Sequence, residues 1–362
     1  MPYPLLLHAK HQGTEVIYQP FGSWVVPWRF QSLEQEYRAL RDAVGLIDYS
    51  TQALIQVEGA DRVAFLHNLL SNDIKRLAPG QGCQAALLTP NAKLIAELLV
   101  LADPTAVWLM CDAEHTATVA QTLKRYRFTE QVTLVNHERQ DAVLALQGPR
   151  THDLLTRFFG SPISLPNPGD HVVRSLQDLR VRLTHHALAG GVGVLCVVAA
   201  EHAQAIWEEL LHRGQSLGLH LVGWEALNIA RIEAGIPWFG IDMDESNLLP
   251  ETGLETVLAS DTKGCYVGQE IVARMRTYGS ANKKLMGLLL DGGEIPQAGD
   301  AIIGNGEPVG HITSACRSIA LNRPIAMGYL KRGSYEPGTR VEITHGSVRC
   351  AATVATLPLV QK

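Results

Sequence analysis

From Lys283 onward the chain is almost entirely short strand-like runs, divided by turn residues at Asp291-Gly292-Gly293, Asn305-Gly306 and Glu336-Pro337-Gly338. Strands this short and this regularly punctuated predict a small antiparallel β-barrel at the C-terminus. Upstream the pattern is mixed. Ser32-Leu33-Glu34-Gln35 reads as a capping box, and Leu33, Tyr37, Leu40 and Val44 recur at helical spacing. A helix is therefore predicted to about Ala43, stopping before Gly45. Further helices are predicted after Asp61, from about Ala113 to Tyr126, over Thr151–Phe159, Glu201–Arg213 and Trp224–Ala234. Strands are predicted at Ala53–Val57, Ala86–Leu88, Leu94–Val100, Val107–Met110, Val132–Val135, Val143–Leu146, Val181–Leu183 and Val192–Val198, with a proline-rich loop over Gly160–Asp170. The reading is α+β followed by all-β.

A length of 362 residues exceeds what one hydrophobic core usually serves, so two or three domains are expected. A net charge of −5 gives no sign of a nucleic-acid clamp. No apolar run approaches the roughly 18–20 residues of a membrane helix, and no secretory signal is visible, so a cytoplasmic protein without membrane or direct nucleic-acid partners is expected. The six cysteines, Cys83, Cys111, Cys196, Cys265, Cys316 and Cys350, form no CxxC, which argues against a disulfide framework or a local metal site. Adjacent histidines such as His185 and His186 point to opposite faces of a strand, and His8 and His11 lack a completing ligand; no metal is expected. Gly190-Gly191-Val192-Gly193 lacks the strand–helix context of a dinucleotide loop, and Ser314 and Ser318 lack a nucleophile elbow.

The most informative segment is Lys263-Gly264-Cys265-Tyr266-Val267-Gly268-Gln269-Glu270. Gly264 and Gly268 bracket Cys265 and permit backbone conformations that a Cβ forbids. A helix beginning near Gln269 would place its positive end by the thiol, and Lys263 adds a cation. Both favour thiolate and make Cys265 the candidate reactive cysteine. The plainer reading is a small buried hydrophobe, as for the other five cysteines.

This signature, with Ala230-Arg231-Ile232-Glu233-Ala234-Gly235-Ile236-Pro237, Gly240-Ile241-Asp242 and Leu249-Pro250-Glu251 before it, resembles the folate-binding YgfZ/GcvT superfamily. Weaker landmarks are Leu70–Ile74, Leu123-Lys124-Arg125-Tyr126-Arg127-Phe128, Gln147-Gly148-Pro149, Gly310–Ser314 and Ile325–Tyr329. The resemblance implies a three-domain, ring-like fold around a channel for tetrahydrofolate or a derivative. The expected domains are 1–50 with 140–245, 51–139 with 246–280, and the barrel over 281–362. It further implies cofactor contacts from Arg231, Lys263, Gly264, Tyr266, Gly268, Gln269 and Glu270, with Trp238 a candidate to stack on the pterin. For Arg231 a structural ion pair with Glu233 or another carboxylate is an equal alternative.

Where the glycine-cleavage T-protein has a catalytic aspartate in Gly-Gly-x-x-Asp-Asp, this chain has Ala96, followed by Glu97; where a glutamate contacts the pterin it has Leu195. A leucine cannot accept the pterin's hydrogen bonds, and Glu97, one residue over on a strand, points to the other face. These departures and the signature point to the YgfZ branch. The expected function is then a folate-binding accessory factor in iron–sulfur protein assembly or maintenance, with iron–sulfur client or assembly proteins as partners and a link to tRNA modification. The alternative is a folate-dependent aminomethyltransferase with Glu97 and Cys265 as its chemical residues. A third reading is a structural protein that has lost folate.

Overall fold

The computed structural model describes residues 3–8, 11, 15–30, 32–278, 281–346 and 348–361. They form two compact units. The first comprises Met1–Leu87, Glu97–Leu227 and Ser260–Gly264, the second Leu88–Ala96, Asn228–Ala259 and Cys265–Lys362.

The first unit is built on a six-stranded sheet in the order His171–Leu176, Leu179–His185, Gly193–Ala199, Asp141–Gln147, Val44–Asp48 and Leu219–Leu221. All pairings are antiparallel except the last, where Leu219–Leu221 runs parallel to Val44–Asp48. Val44–Asp48 is buried along its length, and so is nearly all of Asp141–Gln147, as expected of central strands covered on both faces. One face packs against the helices Thr151–Phe159 and Ala203–Gly214: Leu154, Leu155, Phe158, Ile206, Trp207 and Leu210 meet Leu144, Leu146, Leu183, Val194 and Cys196. Gly160, at φ +71°, ends the first of these helices in the left-handed cap that glycine adopts without a Cβ clash. A five-stranded sheet follows the order Gly82–Leu88, Leu94–Ala102, Ala106–Asp112, Gln52–Glu58 and Thr133–Asn136. A small sheet of Tyr3–Pro4, Trp24–Arg29 and Ile17–Phe21 completes this unit.

Three local readings need correcting. Ser32 precedes the helix Leu33–Asp42 but its side chain makes no cap bond. The work passes to the buried carboxylate of Glu36, which accepts the N–H groups of Phe30 at 2.8 Å and Gly223 at 2.7 Å. The helix expected from Ala113 starts as a 3₁₀ turn over Ala113–His115, because the Asp112 carboxylate accepts the Glu114 N–H at 3.0 Å; the α-helix proper is Thr116–Arg125. The edge strand His171–Leu176 was not anticipated, since its residues are mostly half-exposed and give no clean alternation.

In the second unit Lys283–Leu290, Arg323–Lys331, Glu307–Ser318, Ala301–Gly304, Arg340–His345 and Val348–Ala355 close into an antiparallel barrel. Its interior is filled by Leu288, Leu290, Ile302, Ile312, Leu330, Ile343 and Val354. The chain is thus mixed α+β with a closed six-stranded C-terminal barrel, as its sequence led one to expect. A bulge between Ile312, which pairs with Gly328, and Ser314, which pairs with Met327, leaves Thr313 outside the ladder. The turn Leu88–Ala96 also belongs to this unit. Leu94 N–H donates to Asn247 O at 3.1 Å, and Leu249 N–H to Ala92 O at 3.2 Å.

Candidate functional site

A buried arginine must find an anion or pay several kcal/mol. Arg231, 1 % exposed on the helix Trp224–Glu233, finds Asp242: Nη1 stands 2.5 Å from its Oδ2. Asp242 also accepts the N–H of Trp238 at 3.0 Å and the hydroxyls of Thr313 and Ser314, each at 2.6 Å. The bulge at residues 312–314 is what allows two successive barrel residues to reach one carboxylate. Arg231 is completed by Ser314 Oγ at 2.7 Å, Asn228 Oδ1 at 2.9 Å, Ile236 O at 3.2 Å and the face of Trp238, whose ring centroid lies 4.2 Å away. In the sequence Asp242 stands close to Asp244 and Glu245, and nothing there marks it as the one that is buried and so requires several donors.

In the same unit the signature residues from Cys265 onward meet the Leu88–Ala96 turn at Gly268. Gly268 has φ +86°, and a Cβ there would lie 2.7 Å from Thr89 O and 3.1 Å from Ala92 Cα. Only glycine fits that approach. Gly264 differs: its φ is ordinary and nothing lies within 4 Å of where its Cβ would be. Tyr266 is buried, and burial pushes its phenol up to about 12. The helix Gln269–Tyr278 starts with Gln269 N–H on Tyr266 O at 3.2 Å, and Glu270 is exposed. Cys265 is exposed, four residues before that start. Cys111, Cys196 and Cys316 are buried and Cys83 half-buried, and desolvation pushes all four thiols up to about 12.

In the first unit Lys263 caps the C-terminal end of the helix Arg62–Leu69. Its Nζ donates to His67 O at 2.5 Å, to Leu70 O, and to Asn72 O at 3.0 Å. Cation and carbonyls match the negative end of a helix. Desolvation brings the Lys263 ammonium down to about 8.

Glu97 stands on the strand Leu94–Ala102, where Leu94, Ala96 and Leu98 are buried and Ile95 and Glu97 half-buried. The expected opposition of Ala96 and Glu97 is therefore seen. Glu97 Oε1 accepts from Gln84 Nε2 at 3.0 Å, on the neighbouring strand. Desolvation pushes the carboxyl up to about 7, against a smaller lowering from Gln84. No sequence pattern marked Gln84. Leu195 is buried, opposite Ala145 and Thr184 in the six-stranded sheet. Among the described residues no group of three His, Cys, Asp or Glu side chains could hold a metal; His185 Nδ1 lies 2.8 Å from Leu165 O. No described helix is long and apolar enough to cross a membrane.

The family model described as the GCVT N-terminal domain matches residues 7–262, and that of the glycine cleavage T-protein C-terminal barrel domain matches residues 283–361. The chain is similar to an aminomethyltransferase of Halothermothrix orenii, 27 % identical over 357 residues and 99 % of each protein. It is 28 % identical to one of Bacillus licheniformis, over 99 % of this chain and 98 % of that one. Among solved structures, the glycine cleavage system aminomethyltransferase T of Bartonella henselae superposes with a TM-score of 0.90 at 25 % identity, covering 99 % of this chain and 98 % of that one.

These findings overturn the expected accessory role in iron–sulfur protein assembly, and its iron–sulfur partners fall with it. Proteins named for aminomethyl transfer match along the full length. The sequence of the signature suggests chemistry at Cys265. In the structure Gly268 serves a close backbone approach and Lys263 a helix end, both roles in shaping the chain.

Proposed function

The chain belongs to the family of the GCVT N-terminal domain and the glycine cleavage T-protein C-terminal barrel, and from that premise we propose that it is a folate-dependent aminomethyltransferase. The observation that carries this reading is the match of both domains and of curated aminomethyltransferases over 99 % of the chain. Tetrahydrofolate is the acceptor substrate, and methylene-tetrahydrofolate forms from an aminomethyl donor whose nitrogen leaves as ammonia.

The donor set supports this. A pterin edge presents adjacent N–H donors and a carbonyl acceptor. A carboxyl beside a carboxamide, as in Glu97 and Gln84, supplies the complementary groups. Glu97 has a second role. A carboxyl at about 7 is divided between its acid and its anion at neutral pH, so it can both take and return a proton. As the anion it also offers negative charge to a developing cationic carbon–nitrogen centre. Leu195 offers no acceptor, so the folate is held by one polar contact fewer than the T-protein pattern provides. That costs on the order of 1–3 kcal/mol of affinity.

The test is methylene-tetrahydrofolate formation from an aminomethyl donor by the full chain. Glu97→Gln keeps the side chain's shape and its contact with Gln84 but cannot take up a proton. It should lower kcat by about 10²–10⁴-fold while tetrahydrofolate binding changes only a few-fold. A wild-type chain that binds no tetrahydrofolate at millimolar concentration, or an unimpaired Glu97→Gln, would defeat the proposal.

A further inference from the structure

The second unit holds a cavity that aminomethyl transfer does not call on. Its volume is about 310 Å³, and Leu254, Leu285, Met286 and Leu357 give it apolar walls. That is the lower end of the size range of ligand pockets, about 300–1,000 Å³. The walls are fixed in place. Leu285 and Met286 are buried on the barrel strand Lys283–Leu290. The segment carrying Leu357 is pinned just beyond it, where the N–H groups of Leu359 and Val360 donate to Glu233 O at 3.0 and 2.9 Å. Gly235, at φ +67°, lets that segment come close: a Cβ there would lie 2.7 Å from Leu357 Cβ.

Two charged residues also line the cavity, Glu255 and Lys284, both half-buried. Glu255 Oε2 is shielded from water and has no hydrogen-bond partner. Lys284 Nζ has no acceptor among the described residues, and no ion pair joins it to Glu255. Their neighbours are served differently. Glu251 accepts the Leu248 N–H at 3.1 Å, and Lys283 Nζ lies 3.7 Å from Glu251 and 4.8 Å from the ring centroid of Tyr329. A shielded carboxylate oxygen without a donor is costly to a folded chain. In a cavity wall it marks the place of a missing donor.

We infer that this cavity binds a free α-amino acid with an apolar side chain of middling size. Its ammonium meets Glu255, its carboxylate meets Lys284, and its side chain lies against Leu254, Leu285, Met286 and Leu357. The two unserved charges select this class. A simple carboxylate leaves Glu255 unpaired and sets like charge near it, and a simple amine does the same to Lys284. An uncharged ligand leaves both without a partner. A folate fits poorly, because its tail carries two carboxylates and no ammonium. A zwitterion satisfies both groups, each through a charge-assisted bond. Pinned walls keep the ordering cost of binding low. The occupant also touches the segment that holds Arg231, since Gly235 and Pro237 line the cavity and flank Ile236, whose carbonyl accepts from Arg231 Nη1 at 3.2 Å.

The test is isothermal titration calorimetry of the full chain with L-leucine as the probe. L-leucine should bind with a millimolar or tighter Kd and raise the melting temperature. Isocaproate, which lacks the ammonium, and isoamylamine, which lacks the carboxylate, should each bind at least tenfold more weakly. Glu255→Gln and Lys284→Met should each weaken L-leucine at least tenfold, with unliganded melting temperatures no lower than that of the wild type, because neither side chain has a partner to lose. The analogue series uses only the wild-type chain, so it decides even where a variant folds poorly. Binding is read without turnover, so a failure of aminomethyl transfer leaves it standing. No binding at millimolar L-leucine, analogues that match it, indifference to both substitutions, or displacement of L-leucine by tetrahydrofolate would overturn the inference.

Discussion

Removing the carboxylate of Asp242 should expose the largest electrostatic debt in the second unit. In Asp242→Ala, Arg231 stays 1 % exposed and keeps its bonds to Asn228, Ile236 and Ser314 and its contact with Trp238, but has no anion left. Breaking a buried pair from one side costs about 3–5 kcal/mol. Those remaining partners place the expected loss near about 3 kcal/mol, which lowers Tm by about 6–12 °C for a unit of this size. The assay is urea unfolding followed by tryptophan fluorescence, with calorimetry to resolve separate transitions, because a chain of two units need not unfold in one step. The companion is Arg231→Met/Asp242→Leu, which removes both charges at similar volume and should restore most of the loss. A single mutant costing under about 1 kcal/mol, or a double as damaged as the single, would refute the account of this pair as an uncompensated charge.

Glu97 should leave a mark on stability against pH. Its folded pKa of about 7 lies above the ordinary 4.5, so the native state binds the extra proton and stability falls as pH rises through that window; Glu97→Gln should flatten this slope in unfolding measured at several pH values. Lys263→Met should cost about 2–4 kcal/mol by leaving the carbonyls of His67 and Leu70 without a donor, read as a lower denaturation midpoint at unchanged m. Cys265, being exposed, should be alkylated by iodoacetamide ahead of buried Cys111, Cys196 and Cys316 in the folded protein; mass-spectrometric mapping showing equal rates would remove its distinction.

How far the residues alone could lead differs between the parts. The barrel was legible because strand-like apolar runs such as Lys283–Leu290, Ala301–Gly304 and Arg340–His345 are divided by turn residues at Asp291-Gly292-Gly293, Asn305-Gly306 and Glu336-Pro337-Gly338. The helix Thr151–Phe159 was legible from its spacing and its closing Gly160. The carboxylate network of Glu36 was not, because its partners Phe30 and Gly223 are brought together only by the tertiary fold. The same holds for Asp242, whose donors lie at 231, 238, 313 and 314. The role of Lys263 misled for a related reason. A lysine beside a cysteine in sequence suggests one microenvironment, yet the ammonium turns to a helix end near residue 70. Short motifs speak well about backbone and poorly about where a long side chain goes.

The pinning of the Leu88–Ala96 turn bears on how the chain is made. Its hydrogen-bond partners Asn247 and Leu249 are translated more than a hundred codons later. At roughly 5–20 residues per second, the turn emerges from the ribosome roughly 8–30 seconds before these two partners exist to hold it. The second unit therefore cannot be assembled in the order of synthesis. A slow stretch of message placed between these segments should lengthen that unguarded interval and raise the demand for chaperones.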